Sequence, residues 1–459
     1  MFQNGKLGFW GLTALVFGMV IGVGIFNLPQ NMAASASQGA ILLSWLITGA
    51  GILPLMISFN YLSNTYPQYN AGIYQYAQAG FGNYAGFNIA WGYWLCSAFS
   101  NVAFGVMLND SVGAFFPVLL THGWPTVIFC STLIWVMFGV VARGIRLAEM
   151  LTSLLALVKV VMLVLIISIL IIFFNLEQFE FDPWGELTCG TSVWEQVKST
   201  MMITLFCFLG VEGAVMMAAR AKKKSDIGKA GFAGFSISLL LYIAVSLLCF
   251  GIMTGSQLKE LHNPSIAYIL KDVVGQWAYW LVITAIIISL LGGWVAWTLV
   301  VAQVPYEASL VGIMPRRFSR LNRRGMPAFG LMASSIAMEL FLLLVVMADD
   351  LYLAALHITG LMITPCYFFT GLFLLKVGRG SKIKAVALIT TLFCLWMAYA
   401  GGLIDLVMTS PFYLTGIFFY IRTRREHNDF TLFTRNEKLT IALLCTCAVF
   451  TLFNLKYLL

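Results

Sequence analysis

Charge is scarce in this chain. Lys, Arg, Asp and Glu together make up only 10% of its 459 residues, against roughly a quarter in an ordinary soluble domain. Long hydrophilic segments are missing too: the largest loop, 175–195, holds about twenty residues, too few for a soluble catalytic or nucleotide-binding domain. No GxxxxGK[ST] run occurs, so no phosphate-cradling loop is encoded. No CxxC pair and no His/Cys/Asp/Glu cluster with ligand spacing occurs either, so no metal and no cofactor is expected. Of the nine cysteines, eight (96, 130, 207, 249, 366, 394, 445 and 447) lie inside apolar runs and Cys189 lies alone in a loop. They read as small apolar fillers and not as a disulfide framework. These absences exclude a soluble enzyme, a disordered chain and a nucleic-acid binder, and leave a transmembrane gradient as the energy source for any work done.

What is abundant is apolar surface. Apolar residues are 60% of the chain, and 36 Phe, 17 Tyr and 13 Trp outnumber the charges. A membrane helix needs roughly 20 mostly apolar residues. Thirteen runs qualify, near 9–33, 40–63, 85–117, 124–142, 150–174, 196–219, 230–252, 275–305, 327–347, 351–375, 384–400, 402–421 and 439–457. The fold class is therefore an all-α polytopic membrane protein. The first run is read as a span and not as a signal peptide, because it is too long for an h-region and only Lys6 precedes it.

Short cytoplasmic loops collect Lys and Arg. With the N-terminus placed inside and the spans alternating, the inside segments hold 22 of the 27 basic residues. The outside loops hold Glu177, Glu180, Asp182, Glu186, Glu195, Asp349 and Asp350. The formal charge of +8 is thus explained by membrane orientation. Twelve or thirteen spans remain open, and with them the side of the C-terminus.

Two spans are interrupted. The first contains GMVIGVGIFNLP, with Gly18, Gly22, Gly24 and Pro29. The sixth contains FCFLGVEG, with Glu212 between Gly210 and Gly213. Glycine lowers the cost of unwinding and admits a ligand to the backbone, although it also serves plain helix packing. A carboxylate in mid-membrane is a functional candidate. The two spans are five apart and run in opposite directions, so spans 1–5 and 6–10 suit an inverted repeat. Breaks at matching positions of two halves point to a transporter site, where freed N–H groups hold a carboxylate and freed carbonyls a cation.

At this point the residues resemble a known family. GLTALVFGMVIGVGIFNLPQNMA (11–33), YPQYNAGIYQYAQAGFG (66–82), GYWLCSAFSN (92–101), TLFCFLGVEGAVMMAARAKK (204–223) and LLGGWVAWTLVVAQ (290–303) are similar to the amino acid–polyamine–organocation superfamily. Within it they resemble the basic amino acid/polyamine antiporters, such as arginine–ornithine and arginine–agmatine exchangers. The resemblance implies a LeuT-type five-plus-five inverted repeat with two or three additional C-terminal helices. It gives a ten-helix core over 1–375 (repeats about 9–174 and 196–375) and extra helices over 376–459. It implies that Val23, Gly24 and Ile25 offer backbone N–H groups to an α-carboxylate, and that Phe206, Cys207 and Leu209 take the α-amino group. Phe206 stands where these antiporters carry Trp, and Val23 where they carry Ser. Cys96, Ser97, Asn101 and Trp294 map to the side-chain end of the substrate, and Tyr93 and Glu212 to gating positions. Relatives are commonly dimers, so a homodimer is possible.

Lys159, in LLALVKVVMLVL, lies too deep to snorkel. It resembles a lysine that replaces a sodium ion in some proton-coupled relatives, and is either a proton carrier or a strut. Glu339 and His357 are read as buried pairs or packing hydrogen bonds, Glu307 and Asp110 as interfacial, and most remaining Trp and Tyr as interface belts. The 66–82 stretch is a loop by composition and an in-plane helix by resemblance. The expected function is exchange of cationic amino acids or their amine products across a bacterial inner membrane by alternating access around a midplane site. The alternative is a proton-coupled symporter using Lys159.

Overall fold

The computed structural model describes residues 8–69, 71–180, 182–187, 189–212, 224–348, 350–427 and 433–453. The described residues contain helices and no strand. The principal helices are α1 (Phe9–Val20), α2 (Leu28–Ala33), α3 (Gln38–Thr65), α4 (Ile73–Phe81), α5 (Asn83–Gly113), α6 (Trp124–Ala142), α7 (Ile145–Ile172), α8 (Val193–Cys207), α9 (Lys224–Leu248), α10 (Ser265–Val274), α11 (Gln276–Leu310), α12 (Ala328–Val345), α13 (Leu351–Val377), α14 (Ser381–Ala400), α15 (Leu403–Met408), α16 (Ser410–Leu414), α17 (Ile417–Glu426) and α18 (Arg435–Phe453).

Among the described residues, seven stretches are long and apolar enough to cross a membrane: α3, α6, Gly228–Gly251, α11, α12, α13 and α14. An eighth forms if the pair Leu403–Leu414 and Ile417–Glu426, bent by 44°, is one span. The remaining five apolar runs of the sequence fall on α1 with α2, on α5, on α7, on α8 and on α18. The far half of the sixth run, 213–223, lies outside the described residues.

The chain divides into two compact units, 1–65 with 107–120 and 153–293, and 66–106 with 121–152 and 294–459. In the first unit α3 packs on α8 through two hydroxyl pairs one helical turn apart. Ser44 meets Thr200 at 2.7 Å and Thr48 meets Thr204 at 2.7 Å. Small hydroxylated side chains let two membrane helices approach closely and satisfy each other where no water can. The other face of α3 presents Trp45, stacked on Tyr242 of α9 at 5.2 Å and donating to Ser246 Oγ at 3.1 Å.

In the second unit α5 is the hub. Phe99 stacks on Phe341 of α12 at 3.8 Å, Trp94 Nε1 donates to Ser334 Oγ at 2.9 Å, and Trp91 Nε1 donates to the Phe412 carbonyl at 3.0 Å. These aromatics are buried, as are Trp45, Tyr242, Tyr352 and Tyr367. Trp10, Trp124, Trp135, Trp184, Trp194, Trp277 and Trp280 are exposed, whereas Trp45, Trp91, Trp94 and Tyr242 fill helix seams with their polar tips hydrogen-bonded to neighbouring segments. The 66–82 stretch contains α4, whose Tyr76 stacks on Phe373 at 5.6 Å. Lys376 Nζ donates to the Gly80 carbonyl at 2.7 Å, placing a cation at the negative end of that helix.

Candidate functional site

The first unit holds both interruptions. Helix α1 stops at Val20, and Ile21 and Gly22 turn into non-helical backbone. A short 3-10 turn covers Val23–Phe26, and α2 begins with Pro29 in its first turn. The first N–H groups of a helical turn have no acceptor within it, so the backbone at Val23 and Gly24 presents donors. The second half of this span is pinned by Ser265 of α10, whose Oγ accepts from Gln30 N at 3.3 Å and donates to the Phe26 carbonyl at 3.4 Å.

Helix α8 stops at Cys207, and the chain passes through turns at 208–212, with Gly210 at φ 98°. That left-handed conformation strains any residue with a side chain, which is the local reason for a glycine here. Phe206, Cys207, Leu209 and Glu212 are all buried, Glu212 being 4% exposed. The ring at this break is Phe208, edge-on to Trp45 and to Tyr242.

One side chain joins the two breaks. The Tyr242 hydroxyl lies 2.8 Å from the Val20 carbonyl oxygen and 2.9 Å from that of Cys207. Its single proton is shared between the two freed helix ends. Beside it, the Lys159 ammonium donates to the Ile21 carbonyl and, at 3.4 Å, to that of Gly18. A cation among the last carbonyls of α1 is favoured by the helix dipole. Tyr242 escaped the sequence reading. Its signal was a tyrosine in the middle of the LLLYIAVSLL run, far from any interface.

The second unit holds the other expected site residues. Tyr93, Cys96, Ser97 and Asn101 lie on α5 and are buried. Their polar groups are spent largely on helix carbonyls. Cys96 Sγ donates to Thr359 O at 3.5 Å, Ser97 Oγ to Tyr93 O at 2.8 Å, and Asn101 Nδ2 to Ser97 O at 2.8 Å. Thr298 Oγ1 reaches Asn101 Oδ1 at 3.5 Å and donates to the Trp294 carbonyl at 2.8 Å. Trp294 is fully buried, and its indole Nε1 has no hydrogen-bond partner. Its ring passes over Gly105, where an added Cβ would come within 2.9 Å of Trp294 Cη2. The unit thus brings Trp294, Thr298 and Asn101 together and keeps one buried donor in reserve.

Glu339, His357 and Asp110 each have a partner. Ser131 Oγ donates to Glu339 Oε2 at 2.7 Å, and His357 Nε2 lies 3.3 Å from Asp405 Oδ2. Asp110 Oδ1 accepts from Asn109 at 3.1 Å. Among the described residues no group of three or more His, Cys, Asp and Glu is placed to hold a metal ion. A site with broken helices, few acids and aromatic faces suits reversible binding of a small zwitterion.

A sequence model described as amino acid permease matches residues 7–423. The chain belongs to the amino acid permease family. This permease is 39% identical to the arginine/agmatine antiporter of Chlamydia trachomatis serovar L2 (strain 434/Bu), over 97% of its own length and 96% of the relative's. It is 38% identical to the arginine/agmatine antiporter of Chlamydia abortus, over 98% and 97% of the two chains. It is 34% identical to a putative amino-acid transporter of Clostridium perfringens, over 99% and 100%. The superfamily resemblance read from the five motifs is thus borne out across nearly the whole chain, and the protein is a multi-pass membrane protein of a transport family.

Proposed function

We propose that this permease exchanges cationic amino acids or their amine products, such as arginine for ornithine or agmatine, across a bacterial inner membrane. The observation that carries the reading is the pair of broken helices whose ends meet at Tyr242. It is supported by near full-length similarity to two arginine/agmatine antiporters. The substrate carboxylate takes the N–H groups at Val23, Gly24 and Ile25, and its ammonium takes carbonyls at Phe206, Cys207 and Leu209. Trp294, with its unpaired indole N–H, Asn101, Cys96 and Ser97 recognise the cationic side chain, and Tyr93 and Glu212 gate. Recognition by dipoles and π faces leaves room for several cationic partners. The spans form two inverted repeats over about 9–174 and 196–375, with the N-terminus cytoplasmic, and transport proceeds by alternating access. The basic residues of the inside loops support that orientation.

The position of Lys159 on the α1 carbonyls supports a second reading, proton-coupled symport, in which this ammonium gives up its proton during the cycle. Purified protein in liposomes loaded with one cationic amino acid, challenged outside with a labelled panel of arginine, ornithine, lysine, histidine, agmatine and polyamines, separates the two. An exchanger takes up label only when the lumen holds a substrate. Uptake into empty liposomes driven by a pH gradient alone gives the symporter.

A further inference from the structure

Asn27 stands one helical turn beyond the first break, where the short turn Val23–Phe26 passes into α2. Its backbone is fully employed. The N–H donates to the Gly24 carbonyl at 3.1 Å, and the carbonyl accepts from Asn31 N at 3.1 Å. Its side chain is not employed. Asn27 is 0% exposed, and neither Oδ1 nor Nδ2 has a hydrogen-bond partner. An asparagine at a helix start ordinarily caps it, but no side-chain cap forms here. Asn31, one turn further on, accepts from Asn263 Nδ2 at 3.5 Å, so the next amide has a protein partner. Gln30 Oε1 and Asn263 Oδ1 are also unpaired, yet those residues are partly exposed and adjoin solvent.

An amide taken out of water without new hydrogen bonds is costly, and buried polar groups are ordinarily satisfied. A leucine would fill the same volume without that cost. The demand at Asn27 is two-sided, one donor group and one acceptor. An inorganic cation meets only the acceptor, and an acyl chain meets neither. A zwitterionic α-amino acid meets both, because its carboxylate and ammonium sit on one carbon. The direction fits as well. Helical side chains lean toward the N-terminal end of their helix, which carries the Asn27 amide toward the break at 22–24. There is room beside that break: apart from its chain neighbours, a Cβ added at Gly22 would find only the Val20 carbonyl oxygen within 4 Å, at 3.9 Å. The Val23–Phe26 turn also packs against α8, which ends at the second break.

We propose that Asn27 is a further substrate-binding residue, one that favours amino acids over their decarboxylated amines. This rests on the exchange function and the carboxylate site proposed above. Nδ2 donates to the α-carboxylate held at the break, and Oδ1 accepts from the α-ammonium. Agmatine has no carboxylate and leaves Nδ2 unpaired. A site built to hydrogen-bond a group disfavours the analogue that lacks it, so this amide ranks the two substrates by the group that distinguishes them.

The test compares the apparent KM for arginine and for agmatine in proteoliposomes holding wild type, Asn27→Leu or Asn27→Asp, with the melting temperature of each substrate-free protein. In Asn27→Leu the arginine KM should rise roughly tenfold, the scale of one hydrogen bond to a charged group, while agmatine shifts by less than about threefold, since it loses one hydrogen bond and no longer strands a donor. Asn27→Asp should weaken arginine further, carboxylate against carboxylate, and should tighten agmatine. The leucine variant loses an unpaired buried amide and should melt no lower than wild type. If it fails to insert, the nearly isosteric Asn27→Asp carries the same comparison. Parallel shifts for both substrates, or no shift for either, would overturn the proposal and leave the exchange function standing; the amide would then serve packing or hold water. Wild type that exchanges neither arginine nor agmatine would overturn the exchange reading and this proposal with it.

Discussion

The Tyr242 hydroxyl stands 2.9 Å from the carbonyl oxygen of Cys207, the last residue of the helix that breaks in mid-membrane. It also reaches the Val20 carbonyl at the end of the other broken helix. In a membrane interior an unsatisfied backbone carbonyl is costly, so a hydroxyl serving two helix ends couples their positions. If substrate binds at the breaks as proposed, the sharing of that proton changes.

Tyr242→Phe should retain the stacking on Trp45 and lose both hydrogen bonds. We expect normal membrane insertion and exchange slowed by up to about tenfold, since one buried hydrogen bond contributes about 0.5–1.5 kcal/mol. Initial exchange rates in proteoliposomes, measured with thermal stability on the same preparation, check this. Wild-type rates would remove Tyr242 from the transport cycle.

Lys159→Ala leaves the carbonyls of Ile21 and Gly18 without their ammonium. As a strut, Lys159 should be missed by every transport mode: counterflow and gradient-driven uptake should fall together and the melting temperature should drop. Intact counterflow with abolished gradient-driven uptake would instead make it the proton carrier.

For Trp294→Leu, the apparent KM for the cationic substrate should rise roughly tenfold, from loss of about 1–2 kcal/mol of cation–π and packing energy. Gly105→Val should act in the same direction without touching the indole, because its side chain would press on Cη2 of Trp294. Substrate titrations of both variants decide the matter. If Gly105→Val weakens affinity and Trp294→Leu does not, the ring is packing alone.

Glu212 is 4% exposed beside the second break. Glu212→Gln removes its charge with little change of shape and should impair exchange while sparing insertion, since buried mid-membrane carboxylates respond to the conformational state around them. Exchange rates across a pH series, normalised to folded protein, provide the measurement. Unaltered rates at every pH would make the carboxylate structural.

The amino-acid sequence by itself determined the membrane class, the positions of the apolar runs and the two interruptions. Each is a property of consecutive residues: hydropathy sums over a window, and glycines weaken a helix where they stand. The same local logic located Glu212 and Lys159, whereas Asn101 and Trp294 were singled out only by the resemblance of their motifs to a known family. What the ends of the broken helices bind was decided only by tertiary structure. Tyr242 meets Val20 across 222 positions of chain, and Ser265 meets Phe26 across 239. Trp45 and Trp94 could be read as interface aromatics until their helices packed, because a tryptophan suits a wet boundary and a hydrogen-bonded seam equally well. His357 and Asp405, 48 residues apart, likewise became a pair only when α13 and α15 came together. A side chain's partner depends on which helices neighbour it, and that choice follows from the packing of whole helix faces, which no local window of sequence contains.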